Sequence, residues 1–302
     1  MVGTWLGTEP KPARPEAPEP KLVGDEPLSR PGLFVGPDAL TGSVHKSVHC
    51  VECHTDAASL PHEPRLNIKT CAATCHEKEA KAFPTGTHFE ALQKGNPLAP
   101  TCASCHGGHK ILAVGDRQSK QHRLNSIFMC AECHERHEGE TPGGYKPGLH
   151  IEAYLHSAHG KAIAEAGLIA APTCSDCHSA HAVHPVSDPN SPVHRSKIYK
   201  TCGGCHVGIL NIYEKSLHGK LAAEGDERAP VCTDCHTSHE IIQPDKVAFK
   251  LASGDRCGKC HEDRIKHYRE TFHGKALALG LPKVAACYDC HGHHDVFKVS
   301  DA

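Results

Sequence analysis

Eighteen cysteines lie along this 302-residue chain in nine pairs, and every pair is followed at once by a histidine. Eight clusters have the spacing C-x-x-C-H: Cys50, Cys53 and His54; Cys102, Cys105 and His106; Cys130, Cys133 and His134; Cys174, Cys177 and His178; Cys202, Cys205 and His206; Cys232, Cys235 and His236; Cys257, Cys260 and His261; Cys287, Cys290 and His291. The ninth, Cys71, Cys75 and His76, holds one more residue between its thiols. Two thiols at this spacing can add across the two vinyl groups of a porphyrin while the adjacent imidazole lands beneath the iron. That is the attachment chemistry of c-type haem. Zinc sites, redox dithiols and disulfide frameworks also use C-x-x-C, but each would leave some pairs without a following histidine, and there are none. The motifs therefore predict nine covalent haems, with the longer Cys71/Cys75 loop still spanning one porphyrin.

The elements that position these clusters repeat. Residues 202–239 and 257–294 align: in both, a histidine followed by Gly-Lys (His218, His273) stands 12 residues after the first motif histidine and 14 before the next motif. Residues 130–181 repeat the pattern around His159 with an insertion ahead of it, and residues 71–109 repeat it around His88. An aromatic precedes each of these histidines by five residues: Phe83, Tyr154, Tyr213 and Tyr268. The simplest role for these rings is packing on a porphyrin. The expected organisation is a proline-rich extended arm (1–44), a single-haem segment (45–70) and four two-haem units (71–110, 111–184, 185–242, 243–302). Each unit is expected to carry a short helix ending near its His-Gly-Lys point, where glycine permits a C-cap.

A second axial ligand for nine irons must come from the remaining nineteen of 28 histidines, since there are only two methionines, Met1 and Met129. Three positional families recur. The first is His88, His159, His218 and His273. The second stands three residues after the second motif histidine of each unit: His109, His181, His239 and His294. The third, His62, His122 and His194, precedes a unit's first cysteine and has no counterpart in the last unit. Trans imidazoles on one iron set their Cα atoms roughly 12 Å apart, whereas three extended residues reach only about 10 Å. A second-family histidine that ligates must therefore bind a different haem from its own motif's. His45 or His49 is expected to complete the N-terminal haem.

Composition bounds the fold. With 38% apolar and 5% aromatic residues the chain is poor in ordinary core material. Nine macrocycles would supply the missing apolar area, so short α-helices and irregular loops around a covalently bound haem stack are expected, with little or no β-structure. The formal charge of −2 omits the cofactor. Each bis-histidine haem with ionised propionates adds roughly −1 when ferric and −2 when ferrous, giving about −11 to −20 for the loaded protein. That excludes nucleic acid as a natural partner. No stretch is apolar enough for a membrane span, and the first 40 residues lack a signal-peptide core. Covalent haem attachment of this type is expected outside the cytoplasm, so a mature or trimmed chain is expected.

The pattern S-x-H-G-K…A-P-x-C-x-x-C-H-x-x-H, clearest at 216–239, resembles the bacterial and archaeal multihaem c-type cytochromes of anaerobic respiration. The resemblance covers roughly 45–295. It implies a row of closely spaced bis-histidine, low-spin haems conducting electrons, as a periplasmic or extracellular carrier or a subunit of a redox complex. Subunits of extracellular cytochrome filaments are the alternative. Its partners would be other redox proteins or copies of itself. Related reductases carry a lysine-terminated motif at the catalytic haem, and none occurs here, so substrate chemistry at an open haem is not expected.

Overall fold

The computed structural model describes residues 35–59, 61, 66, 71, 75–134 and 149–297. Among them every regular element is helical and there are no strands, as expected for short helices and loops. Most of the proline-rich arm, His62 and the loop inserted after His134 lie outside the described residues. Two compact units divide the chain. One comprises residues up to Glu77 together with His109–Ile111; the other comprises Lys78–Gly108 and the residues from Leu112 onward.

Within the second unit the repeat takes one local form. After the first motif a helix runs to the conserved-position tyrosine, breaks, and resumes: Val207–Tyr213 then Leu217–Ala223, and Glu262–Glu270 then Phe272–Ala278. Leu149–His156 and Ala158–Ala164 form the same pair. The break has a chemical cause. Ser157, Ser216 and Thr271 adopt extended backbone and accept, through their hydroxyls, from the backbone N–H of Gly160, Gly219 and Gly274. They are N-caps of the second helix, satisfying a donor that the first turn leaves free.

The glycine of His-Gly-Lys thus opens a helix and does not close one, which corrects the expected C-cap. Its requirement is steric. A Cβ on Gly160, Gly219 or Gly274 would fall within 1.9 to 2.0 Å of the carbonyl oxygen of Tyr154, Tyr213 or Tyr268, at the end of the preceding helix. The glycines that end these helices come later, in left-handed conformation: Gly167, Gly225 and Gly280.

The tyrosines explain why an aromatic recurs five residues ahead. Their hydroxyls donate to a carbonyl two residues before the second motif: Tyr154 to Pro172, Tyr213 to Pro230 at 2.8 Å, Tyr268 to Ala285 at 2.7 Å. Each is a strut from the first helix to the approach of the next motif. Phe83 has no hydroxyl and packs edge-on against Phe89 instead. Arginines add a second strut: Arg123 donates to the Ile169 and Ala171 carbonyls and pairs with Asp176, and Arg195 does the same with Glu227, Ala229 and Asp234.

The apolar core is small and local. Ile127, Ile163 and Ala171 form one cluster, and Ile198, Tyr199, Tyr213 and Val231 another. Packing this thin leaves the helix junctions to carry much of the local geometry. Gly219→Ala is expected to cost about 3 kcal/mol from the forced carbonyl contact, and Ser216→Ala about 1 kcal/mol from the lost cap. Urea unfolding of the haem-loaded protein, followed in the haem absorption band, measures both.

Candidate functional site

The second motif of each unit forms its own one-turn helix: Cys102–His106, Cys174–His178, Cys232–His236 and Cys287–His291. The residue before its second cysteine holds that turn. Ser104, Asp176, Asp234 and Asp289 accept from the backbone N–H of the residue ahead of the first cysteine. Both thiols and the imidazole are thereby fixed on one short helix. The next residue lies in the left-handed region, with φ of 80° at Gly107, 63° at Ser179, 64° at Thr237 and 78° at Gly292. Ser179 and Thr237 offset that strain by donating their hydroxyls to the Ala182 and Glu240 carbonyls. The chain reverses there, which swings the histidine three residues on away from its own motif.

The motifs follow one another in space. Cys130 and Cys174, Cys202 and Cys232, and Cys257 and Cys287 lie within hydrogen-bonding reach of each other, so in the last three units the two motifs meet at their first cysteines. That contact lowers the accepting member, bringing Cys287 to about 7. Among the described residues no cysteine is in a disulfide. Among the described residues no three His, Cys, Asp or Glu side chains converge on a metal-sized site.

Eight histidine pairs each join one motif imidazole to one that is not in a motif. Ring centroids are 5.9 Å apart for His76 with His45, 6.0 Å for His54 with His109, 6.2 Å for His134 with His88 and 6.1 Å for His106 with His181. They are 6.0 Å apart for His206 with His159, 5.9 Å for His178 with His239, 6.4 Å for His261 with His218 and 5.9 Å for His236 with His294. Two imidazole nitrogens each about 2 Å from one metal on opposite sides place their ring centroids about 6 Å apart. The donor set, two facing imidazoles with two thiols beside one of them, fits a bis-histidine c-type haem in all eight places.

The pairing has a rule. A first-family histidine faces the first motif of the following unit, and a second-family histidine faces the second motif of the preceding one. A backbone bond accompanies each exchange. The residue before the first-family histidine donates its N–H to the carbonyl two residues beyond the second-family histidine: Val44 to Ile111, Thr87 to Val183, Ala158 to Ile241 and Leu217 to Val296, each at 2.8 Å. The N-terminal segment obeys the same rule. His45, in Ser43-Val44-His45-Lys46, stands across from His76, and His109 stands across from His54. The expectation had placed His45 or His49 opposite His54. The signal that assigns His45 to the first family is its Ser-x-His-x-Lys context, with Gly omitted.

Burial, and then the facing imidazole, lower the pKa of His88, His159, His218 and His236. Burial followed by His150 and His178 brings His239 down to about 4. These imidazoles are neutral at neutral pH and keep a lone pair for a metal. His150 lies 4.5 Å from His239 beside that pair, a neighbour that its sequence position does not signal.

The third family is placed differently. The Nδ1 of His194 lies 2.8 Å from the Ser196 hydroxyl, and the Nδ1 of His122 accepts from the Leu124 N–H. His184 pairs with Asp188, His267 bonds the Asp263 carbonyl, and His293 packs on Tyr288.

No protein-family model matches the chain, and no solved structure matches it. Among curated proteins it is similar to the multiheme cytochrome MtrA of Shewanella baltica (strain OS185), 29% identical over 203 residues, 63% of this chain and 51% of that protein. The chain spans about half the length of the curated relative it matches. The strand-free helical fold, the repeated attachment motifs and this similarity together support a multihaem c-type cytochrome.

The pairing generates a direct test. His159→Ala and His239→Ala are each expected to convert one low-spin haem per chain to a high-spin form that binds carbon monoxide. His194→Ala and His122→Ala are expected to leave every haem low-spin. Electron paramagnetic resonance and carbon monoxide difference spectra distinguish the two sets.

Proposed function

We propose that the chain is a nine-haem electron conduit, acting outside the cytoplasm as a carrier or as a subunit of a redox complex. The observation that carries this reading is the set of eight imidazole pairs, each at metal-bridging separation and each joining consecutive repeats. Haem bound at these positions would supply a one-electron ferric–ferrous couple.

The chain's residues do the rest. Cys50, Cys53, Cys71, Cys75, Cys102, Cys105, Cys130, Cys133, Cys174, Cys177, Cys202, Cys205, Cys232, Cys235, Cys257, Cys260, Cys287 and Cys290 would hold the nine groups covalently. The motif histidines would each supply one nitrogen to the iron, and His45, His88, His109, His159, His181, His218, His239 and His294 would supply a second to eight of them. Two facing imidazoles leave substrate no place at the metal. The meeting of first cysteines within the last three units, and of imidazoles between units, supports closely spaced sites, as a conduit requires. A strongly negative loaded protein favours redox partners with basic surfaces and disfavours nucleic acid. Among the described residues no helix is long and apolar enough to cross a membrane. Covalent haem attachment of this kind is the basis for placing the protein outside the cytoplasm.

Intact-mass measurement of the denatured protein is expected to show nine haems, and the double variant Cys71→Ala, Cys75→Ala eight. A spectroelectrochemical titration is expected to resolve one-electron steps spread over a broad, low range. Fewer than nine covalent haems in the parent protein, or turnover of nitrite or hydroxylamine, would overturn the reading.

A further inference from the structure

The last two-haem unit breaks the repeat at two positions, and the side chains at those positions touch. The second and third units hold a third-family histidine, His122 and His194, eight residues before their first cysteine; the last unit holds Phe249 there. Immediately before the first cysteine stand Met129 and Thr201, and in the last unit Arg256. The Arg256 guanidinium lies over the ring of Phe249, 4.4 Å from its centroid. Phe249 is buried, and its ring stacks on the imidazole of His236 with centroids 5.2 Å apart and planes 21° from parallel. The stack of guanidinium, phenyl and imidazole thus ends at the second motif of the preceding unit.

A guanidinium so placed keeps its charge at any ordinary pH. Its Nη1 is buried and has no hydrogen-bond partner among the described residues. Carboxylates of the same unit and of the preceding motif are engaged elsewhere: Asp234 with Arg195, Asp255 with Arg269 and Asp289 with Lys250. Lys250 also takes over the strut that Arg123 and Arg195 make in the earlier units, so that task does not account for Arg256. Holding a charge in the interior without a counter-charge costs stability, and the face of Phe249 offsets only part of that cost. The charge lies close enough to act on both His236 and Cys235 of one motif.

We propose that Arg256 sets the reduction potential of the haem held by Cys232, Cys235 and His236, raising it so that this site retains an electron more readily than an uncharged residue would allow. The inference rests on the haem reading above. Reduction adds negative charge at the iron, and a fixed cation in a poorly screened interior favours the reduced form. A haem carboxylate drawn to the orphaned Nη1 would alter the size of this bias and not its sign, since removing the guanidinium would leave that carboxylate uncompensated. Arg256 precedes one motif in sequence, yet its guanidinium stacks toward the motif before it. Met129 and Thr201 bring no such charge to the corresponding sites at His106 and His178. An electron moving along the row would therefore meet a bias here that those two sites lack.

Intact mass, by counting covalent haems in the parent protein, tests the haem reading by itself. Arg256→Gln is then compared with the parent by redox titration of the loaded protein, followed by electron paramagnetic resonance. The variant is expected to keep the parent's low-spin spectrum, which shows the sites intact, and to move one midpoint to lower potential. Arg256→Lys, which keeps the charge, is expected to hold that midpoint near the parent's. Two further backgrounds identify the site. With His294→Ala, which opens the haem at His236, Arg256→Gln is expected to move none of the remaining low-spin midpoints. With His218→Ala, which opens the haem at His261, it is expected to move one as before. Nine covalent haems with no midpoint lowered by Arg256→Gln overturn the proposal and leave the haem reading standing. A lowered midpoint that persists with His294→Ala also overturns it, because the charge then acts on another haem. So does an Arg256→Lys variant whose midpoint falls as far as that of Arg256→Gln. Absence of covalent haem in the parent overturns both readings.

Discussion

The arrangement depends on one steric fact about a short segment of backbone. A histidine three residues after a motif histidine cannot reach around to the opposite side of the same metal, so it must face another repeat's. The left-handed residue at Gly107, Ser179, Thr237 or Gly292 turns that necessity into a direction, sending the imidazole back to the preceding repeat. The N-cap at Ser157, Ser216 or Thr271 sends the first-family imidazole forward. Each repeat is then held to its neighbour by two side chains travelling in opposite senses, with one backbone bond between them. The helices, struts and caps exist to aim these two imidazoles.

The division of labour explains why so small an apolar core suffices locally. Ile127, Ile163, Ser119, Ser157, Ser191 and Ser216 are the largest fully buried side chains, and most of them are serines. Buried hydroxyls at turns and caps give direction at little volume, where bulky side chains would compete for the space around each motif. Hydroxyl-to-carbonyl bonds from Tyr213 and Tyr268, and guanidinium-to-carbonyl bonds from Arg123 and Arg195, serve the same end. They fix distances between segments without filling the interior between them.

Much of this was legible in the sequence because the relevant chemistry is local. The motif spacing, the 12- and 14-residue intervals, the prohibition on same-metal ligation and the strand-free fold all follow from a few neighbouring residues. What was not legible depended on relations between distant segments. Which metal His109 or His218 faces is decided by how one repeat docks on the next, and no periodicity within a repeat encodes that. Counting ligands leaves His45 or His49 for the N-terminal site, whereas the docking of Ser43-Val44-His45 against His109–Ile111 places His45 opposite His76. The glycine of His-Gly-Lys looked like a helix terminator because positive φ is the commonest reason for glycine. Here the reason is the approach of a tyrosine carbonyl, visible only once both helices are built.

Borrowing between neighbours has a consequence for how such a protein comes into being. Thioether bonds at one motif need only that motif's own few residues, but its opposite imidazole belongs to another repeat. For His106, His178 and His236 the missing partner lies 75, 61 and 58 residues further along, at His181, His239 and His294 (181 − 106, 239 − 178, 294 − 236). At a second motif, coordination would therefore trail covalent attachment by one repeat, whereas a first motif would find its facing imidazole already made upstream. Each newly formed repeat completes the one before it while remaining incomplete itself. A chain loaded in this order would carry one open site at a time, always at the second motif of its latest repeat.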